Sequence, residues 1–463
     1  MTVTRSEIFD SLPALGRTDY LPEIQTALRT KREKLVVLDD DPTGTQTVYD
    51  IPVLTEWSVS SLREEFQNEL DCFYLLTNSR SLGEEDARQL NLEIAANLKT
   101  AAEGKPFRVV SRSDSTLRGH YPLETDALTE VLGPFDGVLL VPYFEAGGRY
   151  TIGDVHYVAE GDTLLPAAET PFARDVTFGY RKSNLREWVE EKTKGRIEAQ
   201  VVESISIDQI RNQGVDGVET LLLRLQDGVV CIVNAAAPSD LETMVLALAR
   251  AEEAGKRFLF RTGAQFVSTR IGLRERNFWR PEPSSRRVGG LVVVGSHVPK
   301  STQQLNHLLE HGQMETIEFE VKRLIDDEPD LVSNLVSQVD QHLIDGRDVV
   351  VYTSRDLVLG ANAESSLALS RRVSEALVTL VRSMTVSPSF FVAKGGITSS
   401  DLATKGLGVR RAMVLGPILP GVPVWETGDD TRFPEIPYIV FPGNVGGAES
   451  LLEVVQIFQR ARA

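Results

Sequence analysis

The sequence predicts an α/β protein with two α/β domains, mostly parallel sheets and an active-site cleft between the domains. First, apolar strand-like runs alternate with helical stretches in both halves of the 463-residue chain, as in parallel α/β folds. Second, runs such as 34–38 (KLVVL) are continuously apolar, which suits strands buried on both faces. Third, the segment 280–287 (RPEPSSRR) is typical of an exposed connection between domains.

The alternation assigns each element in turn. Residues 1–33 read as a helical arm, and residues 143–182 interrupt the rhythm and predict a hairpin or a covering loop. The predicted N-terminal strands are 34–38, 73–77, 107–111, 137–142, 229–235 and 258–262, with helices at about 83–100 and 122–132. The predicted C-terminal strands are 290–296, 314–321, 348–354, 389–396 and 438–444, with helices at 301–312 and about 363–384. We therefore expect an N-terminal domain over 1–280 and a C-terminal domain over 288–463.

Composition excludes several classes of function. The chain has 49 basic and 66 acidic residues, a net charge of −17, and no cluster of Lys and Arg that would favour nucleic acid or an anionic membrane surface. Cys72 and Cys231 lie in apolar runs and predict buried, reduced thiols. The first residues lack a signal-peptide pattern, and no run reaches membrane-spanning length. We expect a soluble, cytoplasmic protein.

Three consecutive acids follow the first buried strand, in the segment LVVLDDDPTGTQT. The carboxyl ends of parallel strands form the functional edge of such sheets, and crowded carboxylates repel one another. Asp39, Asp40 and Asp41 therefore predict a general base or a carboxylate associated with Mg²⁺. The alternative is a helix N-cap followed by solvated acids.

A second polar segment, VVSRSDSTLRGHY, also follows a predicted strand. Arginine binds carboxylate or phosphate through two parallel hydrogen bonds, so Arg112 and Arg118 are candidates for holding a small anion. Arg80, in TNSRS, is a weaker candidate of the same kind. A plain N-cap cluster is the alternative explanation for the Ser-Asp-Ser-Thr sequence.

The C-terminal half contains three turns that lead from a strand into a helix and are rich in glycine or hydroxyl residues. They are VVVGSHVPKSTQQL, FFVAKGGITSSDL and FPGNVGGAESLL. Glycines permit close backbone approach, and free amides at a helix N-terminus bind phosphate. The chain lacks a GxxxxGK[ST] loop, a complete GxGxxG, an HExxH and a CxxC motif.

These segments together resemble the four-carbon acid sugar kinase family. That family has an Asp-Asp-x-Thr-Gly turn, an Asp-Ser-Thr-x-Arg-Gly segment, a Gly-Arg segment, and C-terminal Gly-Ser, Gly-Gly-x-Thr-Ser and Gly-Asn turns. The corresponding residues here, in the same order, are Asp40–Gly44, Asp114–Gly119, Gly148–Arg149, Gly295–Ser296, Gly395–Ser399 and Gly443–Asn444. The chain departs from the pattern at Asp39 and Pro42, at Arg112 where lysine is common, and around 257–267.

The resemblance implies an N-terminal domain that binds a four-carbon sugar acid such as threonate, erythronate or 3-oxo-tetronate, and a C-terminal domain that binds ATP. The implied catalytic residues are Asp41 and Asp40, and those that bind the sugar acid are Arg80, Arg112, Asp114, Ser115, Arg118 and Gly119. The implied nucleotide-binding residues are Ser296, Gly395, Gly396, Ile397, Thr398, Gly443 and Asn444. Mg²⁺ is expected from phosphoryl-transfer chemistry, without a dedicated ligand set. A homodimer is compatible with the sequence.

Two other hypotheses remain open at this stage. Asp39-x-Asp41-x-Thr43 after an apolar strand matches the motif of haloacid-dehalogenase-type phosphatases, in which Asp39 would be the nucleophile. Thr77 and the pair Asp429-Asp430 would then supply the other motifs. The chain is alternatively a sugar-acid sensor that kept the fold without turnover.

Overall fold

The chain forms two compact units in a computed structural model that describes residues 3–17, 19–31, 33–284, 287–355 and 363–462. The first unit comprises 1–47 and 56–275, and the second comprises 48–55 and 276–463. The sequence placed 48–55 in the N-terminal domain. It belongs to the second unit because its strand pairs antiparallel with residues 411–414 of that unit.

The strands are β1 (Val3–Thr4), β2 (Lys34–Asp39), β3 (Ile51–Leu54), β4 (Cys72–Leu76), β5 (Phe107–Arg112), β6 (Gly137–Val141), β7 (Arg149–Ile152), β8 (Val155–Glu160), β9 (Thr163–Pro166), β10 (Glu203–Ile205), β11 (Val229–Val233), β12 (Phe258–Thr262), β13 (Leu291–Val294), β14 (Glu315–Phe319), β15 (Val349–Thr353), β16 (Phe391–Lys394), β17 (Arg411–Leu419), β18 (Val422–Thr427) and β19 (Pro437–Phe441).

The α-helices are α1 (Arg5–Asp10), α2 (Leu21–Lys31), α3 (Val59–Gln67), α4 (Glu84–Ala101), α5 (Leu123–Leu132), α6 (Leu185–Lys192), α7 (Gly214–Arg224), α8 (Pro238–Glu253), α9 (Ala264–Arg270), α10 (Pro299–His311), α11 (Val321–Ile325), α12 (Leu331–Ile344), α13 (Ala363–Ser383), α14 (Gly396–Asp401) and α15 (Ser450–Arg462). Within the described ranges, no helix is both long and apolar enough to span a membrane.

A parallel sheet forms the centre of the first unit, with strand order β10-β11-β6-β12-β5-β2-β4. Its central strands are buried, as their continuous apolar sequences predict. In the register, Asp39 lies opposite both Leu76 and Arg112, and Arg112 lies opposite Thr262. The segments that follow β2, β4, β5 and β12 therefore leave the sheet at one edge.

A smaller antiparallel sheet in the same unit has the order β1-β9-β8-β7. It provides the hairpin expected within 143–182. The N-terminal arm contains α1 and α2 as expected, but it also contributes β1. Thr4 then caps α1, with its side chain accepting from the Glu7 amide and the Glu7 carboxylate accepting from the Thr4 amide.

The sheet of the second unit has the order β3-β17-β18-β19-β16-β13-β15-β14. Its strands from β19 to β14 are parallel, whereas β3, β17 and β18 pair antiparallel. The core on one side includes apolar residues of β13, β16 and β19 together with α10 and α15. The fold is thus mostly parallel α/β, as the sequence predicts, with an antiparallel portion that the alternation did not reveal.

Candidate functional site

Asp39 and Arg112 form a buried ion pair at the ends of two adjacent strands. Arg112 Nη1 donates to Asp39 Oδ1 at 2.9 Å, and the two side chains are 5% and 1% exposed. Burial raises the pKa of Asp39 to about 7, against the opposing effect of the Arg112 charge. The sequence-predicted substrate ligand Arg112 therefore lies behind the surface of the site, where it supports the carboxylates.

Asp40 is held by a two-point contact with Arg80. Arg80 Nη2 and Nε donate to the two oxygens of Asp40 at 2.5 and 3.1 Å, and Ser113 Oγ donates to Oδ2 at 3.1 Å. Arg80 and Arg112, which the sequence analysis proposed as anion ligands, are thus each bound to a carboxylate. A buried carboxylate with three hydrogen bonds is oriented rigidly.

Asp41 is the most exposed of the three acids. Its side chain is 23% exposed, whereas that of Asp40 is 3% exposed. The Thr43 amide and hydroxyl donate to Oδ1 at 2.9 and 2.5 Å, while Oδ2 faces Arg80 Nη1 at 3.5 Å. Burial acts to raise the pKa of Asp41, but the charge of Arg80 and the bonds from Thr43 hold that pKa below its usual range. Asp41 is therefore ionised and reachable.

The loop after β5 folds over the same edge. Arg118 Nε donates to Asp114 Oδ2 at 2.6 Å, and the Thr116 hydroxyl donates to the same oxygen. Burial acts to raise the pKa of Asp114, but the charges of Arg80 and Arg118 hold that pKa well below its usual range. Gly119 has φ of +118°, and an added Cβ would lie 3.0 Å from Asp40 Oδ2, so glycine lets the loop approach the acids.

Two side chains from the 156–180 region hold this loop by its carbonyl groups. His156 Nε2 donates to the Ser115 carbonyl at 2.7 Å, and Tyr180 Oη donates to the Thr116 carbonyl at 2.8 Å. His156 Nδ1 accepts from the Thr151 hydroxyl at 3.0 Å. Burial lowers the pKa of His156 to about 4, so the ring is neutral near pH 7.

Arg261 and Glu124 are two further buried ionisable residues near the loop. Arg261 Nη2 donates to the Arg118 carbonyl at 3.2 Å, and its guanidinium lies 5.3 Å from the ring centroid of Tyr121. Ser79 Oγ donates to Glu124 Oε1 at 2.5 Å. Burial and the nearby charge of Asp40 raise the pKa of Glu124 to about 7.

Sequence reasoning missed Arg261 and Glu124 as members of this site, and it interpreted His156, a lone histidine near a candidate segment, as a structural residue. The available signal for Arg261 was a lone cation inside the buried run FLFRT, since an unpaired charge is costly in a strand core. No comparable local signal distinguishes Glu124 on α5 or His156 on β8.

The glycine and serine turns of the second unit converge at the ends of β13, β16 and β19. A Cβ added to Gly395, whose φ is +119°, would lie 2.9 Å from Ser296 Cβ and 3.2 Å from Thr398 Oγ1. A Cβ added to Gly443 would lie 3.4 Å from Ser296 Oγ, and one added to Gly295 would lie 2.5 Å from Thr398 Oγ1. These turns form a close-packed cradle lined by backbone and hydroxyl groups.

Two more residues stabilise this cradle. Ser301 Oγ lies 3.1 Å from both Ser296 Oγ and the Gly443 carbonyl. Lys394 Nζ donates to the Pro442 and Gly443 carbonyls, at 2.5 and 3.3 Å. Burial and the charge of Lys300 lower the pKa of Lys394 to about 7. Lys394 thus binds the turn from inside rather than facing outward.

The remaining predicted nucleotide residues differ in exposure. Ile397 is 64% exposed, Asn444 is exposed, and Gly396 begins the short helix α14. Sequence reasoning missed Arg355 beside this turn, because it follows a strand without a recognisable motif. Arg355 donates through Nη1 to the Ser296 carbonyl at 2.8 Å and through Nη2 to Thr353 Oγ1 at 2.7 Å.

No group of three or more His, Cys, Asp and Glu side chains is arranged to hold a metal ion in the part of the chain that the structure describes. The paired carboxylates of the first unit are occupied by arginines.

Comparison with known proteins defines the class of each unit. Residues 35–270 match the model of a sugar-binding N-terminal domain, and residues 291–451 match that of a nucleotide-binding C-terminal domain. Together these are the two domains of the four-carbon acid sugar kinases. The chain belongs to the four-carbon acid sugar kinase family, as its motifs indicated.

A curated relative is a D-erythronate kinase from Heliobacterium modesticaldum, with 25% identity over 217 residues. The match covers 45% of this chain and spans about half the length of that relative, 47%. Two solved structures share the fold. A Haemophilus influenzae protein has 19% identity and a TM-score of 0.64, covering 91% of this chain and 99% of its own. A Salmonella typhimurium LT2 protein has 18% identity and a TM-score of 0.68, covering 93% of this chain and 100% of its own.

Proposed function

We propose that this protein is an ATP-dependent kinase that phosphorylates a hydroxyl group of a four-carbon sugar acid. The observation that carries the proposal is the set of acids at the end of β2, held by arginines in a unit of the sugar-binding class. The match of the second unit to a nucleotide-binding domain and the partial similarity to a D-erythronate kinase support it.

Asp41 is the proposed proton acceptor. It is ionised, it is the most exposed of the three acids, and its Oδ2 has only a long contact to Arg80. In the proposed step, a substrate hydroxyl oxygen bonds to the γ-phosphorus of ATP while its proton passes to Asp41. The bond from that phosphorus to the bridging oxygen breaks, and ADP leaves. Such transfers depend mainly on positioning and charge neutralisation, which the oriented Asp40 and Arg80 would assist.

The cradle of the second unit is the proposed site of the nucleotide phosphates. Glycine at 395 lets the turns pack directly against Ser296, since an added Cβ would lie 2.9 Å from Ser296 Cβ, and glycine turns of this kind present backbone amides that suit a phosphate group. Mg²⁺ commonly keeps several waters and binds through substrate phosphates, and the proposal assigns it to the phosphates of ATP in the same way. When bound, it would neutralise phosphate charge.

The phosphatase alternative is disfavoured by the state of Asp39. A nucleophilic carboxylate must reach phosphorus, but Asp39 is 1% exposed and bound by Arg112 at 2.9 Å. An added Cβ on Gly44 would lie 2.0 Å from Asp39 Oδ2, so the turn covers this carboxylate closely. Asp429 and Asp430 belong to the second unit, whereas Asp39 and Thr77 belong to the first.

The test is ADP formation with ATP, Mg²⁺ and a panel of four-carbon sugar acids that includes both threonate and erythronate stereoisomers and 3-oxo-tetronate. We expect ADP with at least one acid and none with buffer alone. Phosphate release from p-nitrophenyl phosphate without ATP would contradict the kinase and favour the phosphatase. Sugar-acid binding without ADP formation would instead favour a sensor.

Asp41→Asn tests the proposed base. We expect kcat to fall by roughly 10²- to 10⁴-fold, the usual contribution of general-base catalysis, while the Kd for ATP is unchanged. Asp216→Asn is the matched control, because this acid is 90% exposed on α7 and pairs with Arg250. Wild-type turnover in the Asp41 variant would refute the assignment.

A further inference from the structure

Two guanidinium groups share one aromatic ring beside the loop of 113–119. The Arg118 guanidinium carbon lies 5.2 Å from the ring centroid of Phe172, and that of Arg149 lies 5.4 Å from the same centroid. Burial lowers the pKa of Arg149, the charge of Asp114 opposes that effect, and the like charge of Arg118 adds to the lowering. The arrangement therefore places two cations against one ring.

Arg118 and Arg149 differ in whether a carboxylate pairs with their charge. Arg118 donates to Asp114 at 2.6 Å and lies 3.7 Å from Asp175. Arg149 Nη1 donates to the Gly147 carbonyl, but Arg149 has no ion-pair partner among the described residues, and its buried Nε has no hydrogen-bond partner. Leaving a guanidinium partly desolvated and unpaired is costly, so a position of this kind is stabilised by an anion from outside the chain.

We propose that Arg149, together with Arg118, binds the carboxylate of the sugar acid. The inference rests on the proposed function, and it identifies which cations recognise the acid group. Arg80, Arg112 and Arg118 each have a carboxylate partner, in Asp40, Asp39 and Asp114, whereas Arg149 has no ion-pair partner among the described residues and is the cation that the carboxylate would neutralise. Arginine binds a carboxylate through two parallel hydrogen bonds, so the guanidinium of Arg149 is suited to the acid group of the substrate.

The order of charges along the site supports this orientation of the substrate. Asp41 lies 3.5 Å from Arg80, Asp114 lies 2.6 Å from Arg118, and the charges of both arginines lower the pKa of Asp114. Arg118 then shares the Phe172 ring with Arg149. A four-carbon acid carries its carboxylate at one end and its terminal hydroxyl at the other. Binding the carboxylate at Arg149 leaves the hydroxyl end for Asp41.

The variant Arg149→Gln tests the proposal, with Arg257→Gln as the matched control. Arg257 lies 5.4 Å over the ring of Phe135 in the same unit and donates to the Leu132 carbonyl, outside the site. Calorimetric titration measures the Kd for each sugar acid of the panel, and ADP formation measures KM for the acids and for the uncharged tetritols erythritol and threitol. Arg149→Met, which keeps an apolar stem against Phe172, replaces the Gln variant if that variant does not fold.

We expect Arg149→Gln to weaken sugar-acid binding about 10- to 100-fold, the effect of losing a charged hydrogen bond. The affinity for ATP should not change. We expect the wild type to phosphorylate the tetritols only weakly, and the variant should do so equally weakly. A folded variant with wild-type Kd and KM for the acid would overturn the inference. Wild-type protein that phosphorylates tetritols as well as acids would also overturn it and leave the kinase intact. Acid binding that depends on Arg149, without ADP formation by the wild type, would support the inference and refute the kinase. Wild-type protein that binds no acid would overturn both.

Discussion

Gly44 lies against the buried Asp39 carboxylate, and its replacement by alanine gives a sharp test of the site geometry. The added Cβ would lie 2.0 Å from Oδ2 and 2.2 Å from Oδ1. Asp39 cannot move aside easily, because it is bound by Arg112 and is 1% exposed. Gly44 is not among the residues with positive φ, so the effect is steric crowding rather than backbone strain.

Overpacking of a closely packed site costs about 1–3 kcal/mol. For a domain of roughly this size, each kcal/mol lowers Tm by about 2–4 °C, so we expect a decrease of about 2–12 °C. The same displacement moves Asp39 away from Arg112 and shifts the acids that follow it. Misplacement by about 1 Å can reduce turnover roughly 100-fold.

Differential scanning calorimetry measures Tm, and the ADP assay measures kcat with the best acid of the panel. Gly16→Ala is the matched control, because the nearest atom to its added Cβ, the Arg211 carbonyl oxygen, is 3.5 Å away at ordinary contact distance. A Gly44→Ala protein with the Tm and kcat of the wild type would refute the packing described for Asp39.

Two further predictions concern the loop and the cradle. Because the pKa of His156 falls from 6.5 to about 4 on burial, folding excludes a proton between these pH values, and stability decreases as pH falls through this window. Denaturant titrations between pH 6.5 and 4 measure how the free energy of unfolding changes with pH. In His156→Gln this slope should be smaller by about one proton, or about 1.4 kcal/mol per pH unit. An unchanged slope would contradict a buried neutral ring. Gly395→Ala should weaken ATP binding in calorimetric titration while sugar-acid binding persists, because its Cβ would crowd Ser296. Gly408→Ala, where φ is +71° and no neighbour lies within 4 Å, controls for backbone strain, and equal losses in both variants would exclude crowding as the cause.

The alternation of apolar strands and helices could be predicted from sequence because it depends on local periodicity and on residues adjacent in the chain. The run KLVVLDD forms β2 followed by the acids, and FFVAKGG forms β16 followed by its glycine turn. The parallel order of the first sheet was likewise expected in kind, since long helical connections favour parallel pairing. The sequence did not predict that residues 48–55 belong to the second unit, because the residues with which they pair lie about 360 positions later in the chain.

The sequence by itself determined that carboxylates, arginines and glycine turns would follow buried strands, and its ordered motifs determined the family. Only the tertiary structure decided which charges are satisfied. It buries Asp39 with Arg112, leaves Asp41 partly exposed, and brings His156 to the Ser115 carbonyl and Arg149 to the ring of Phe172. The reason is physical: ion pairing and desolvation depend on groups that the sheet order and the packed loops bring together from distant parts of the chain, and local sequence carries no record of those distances.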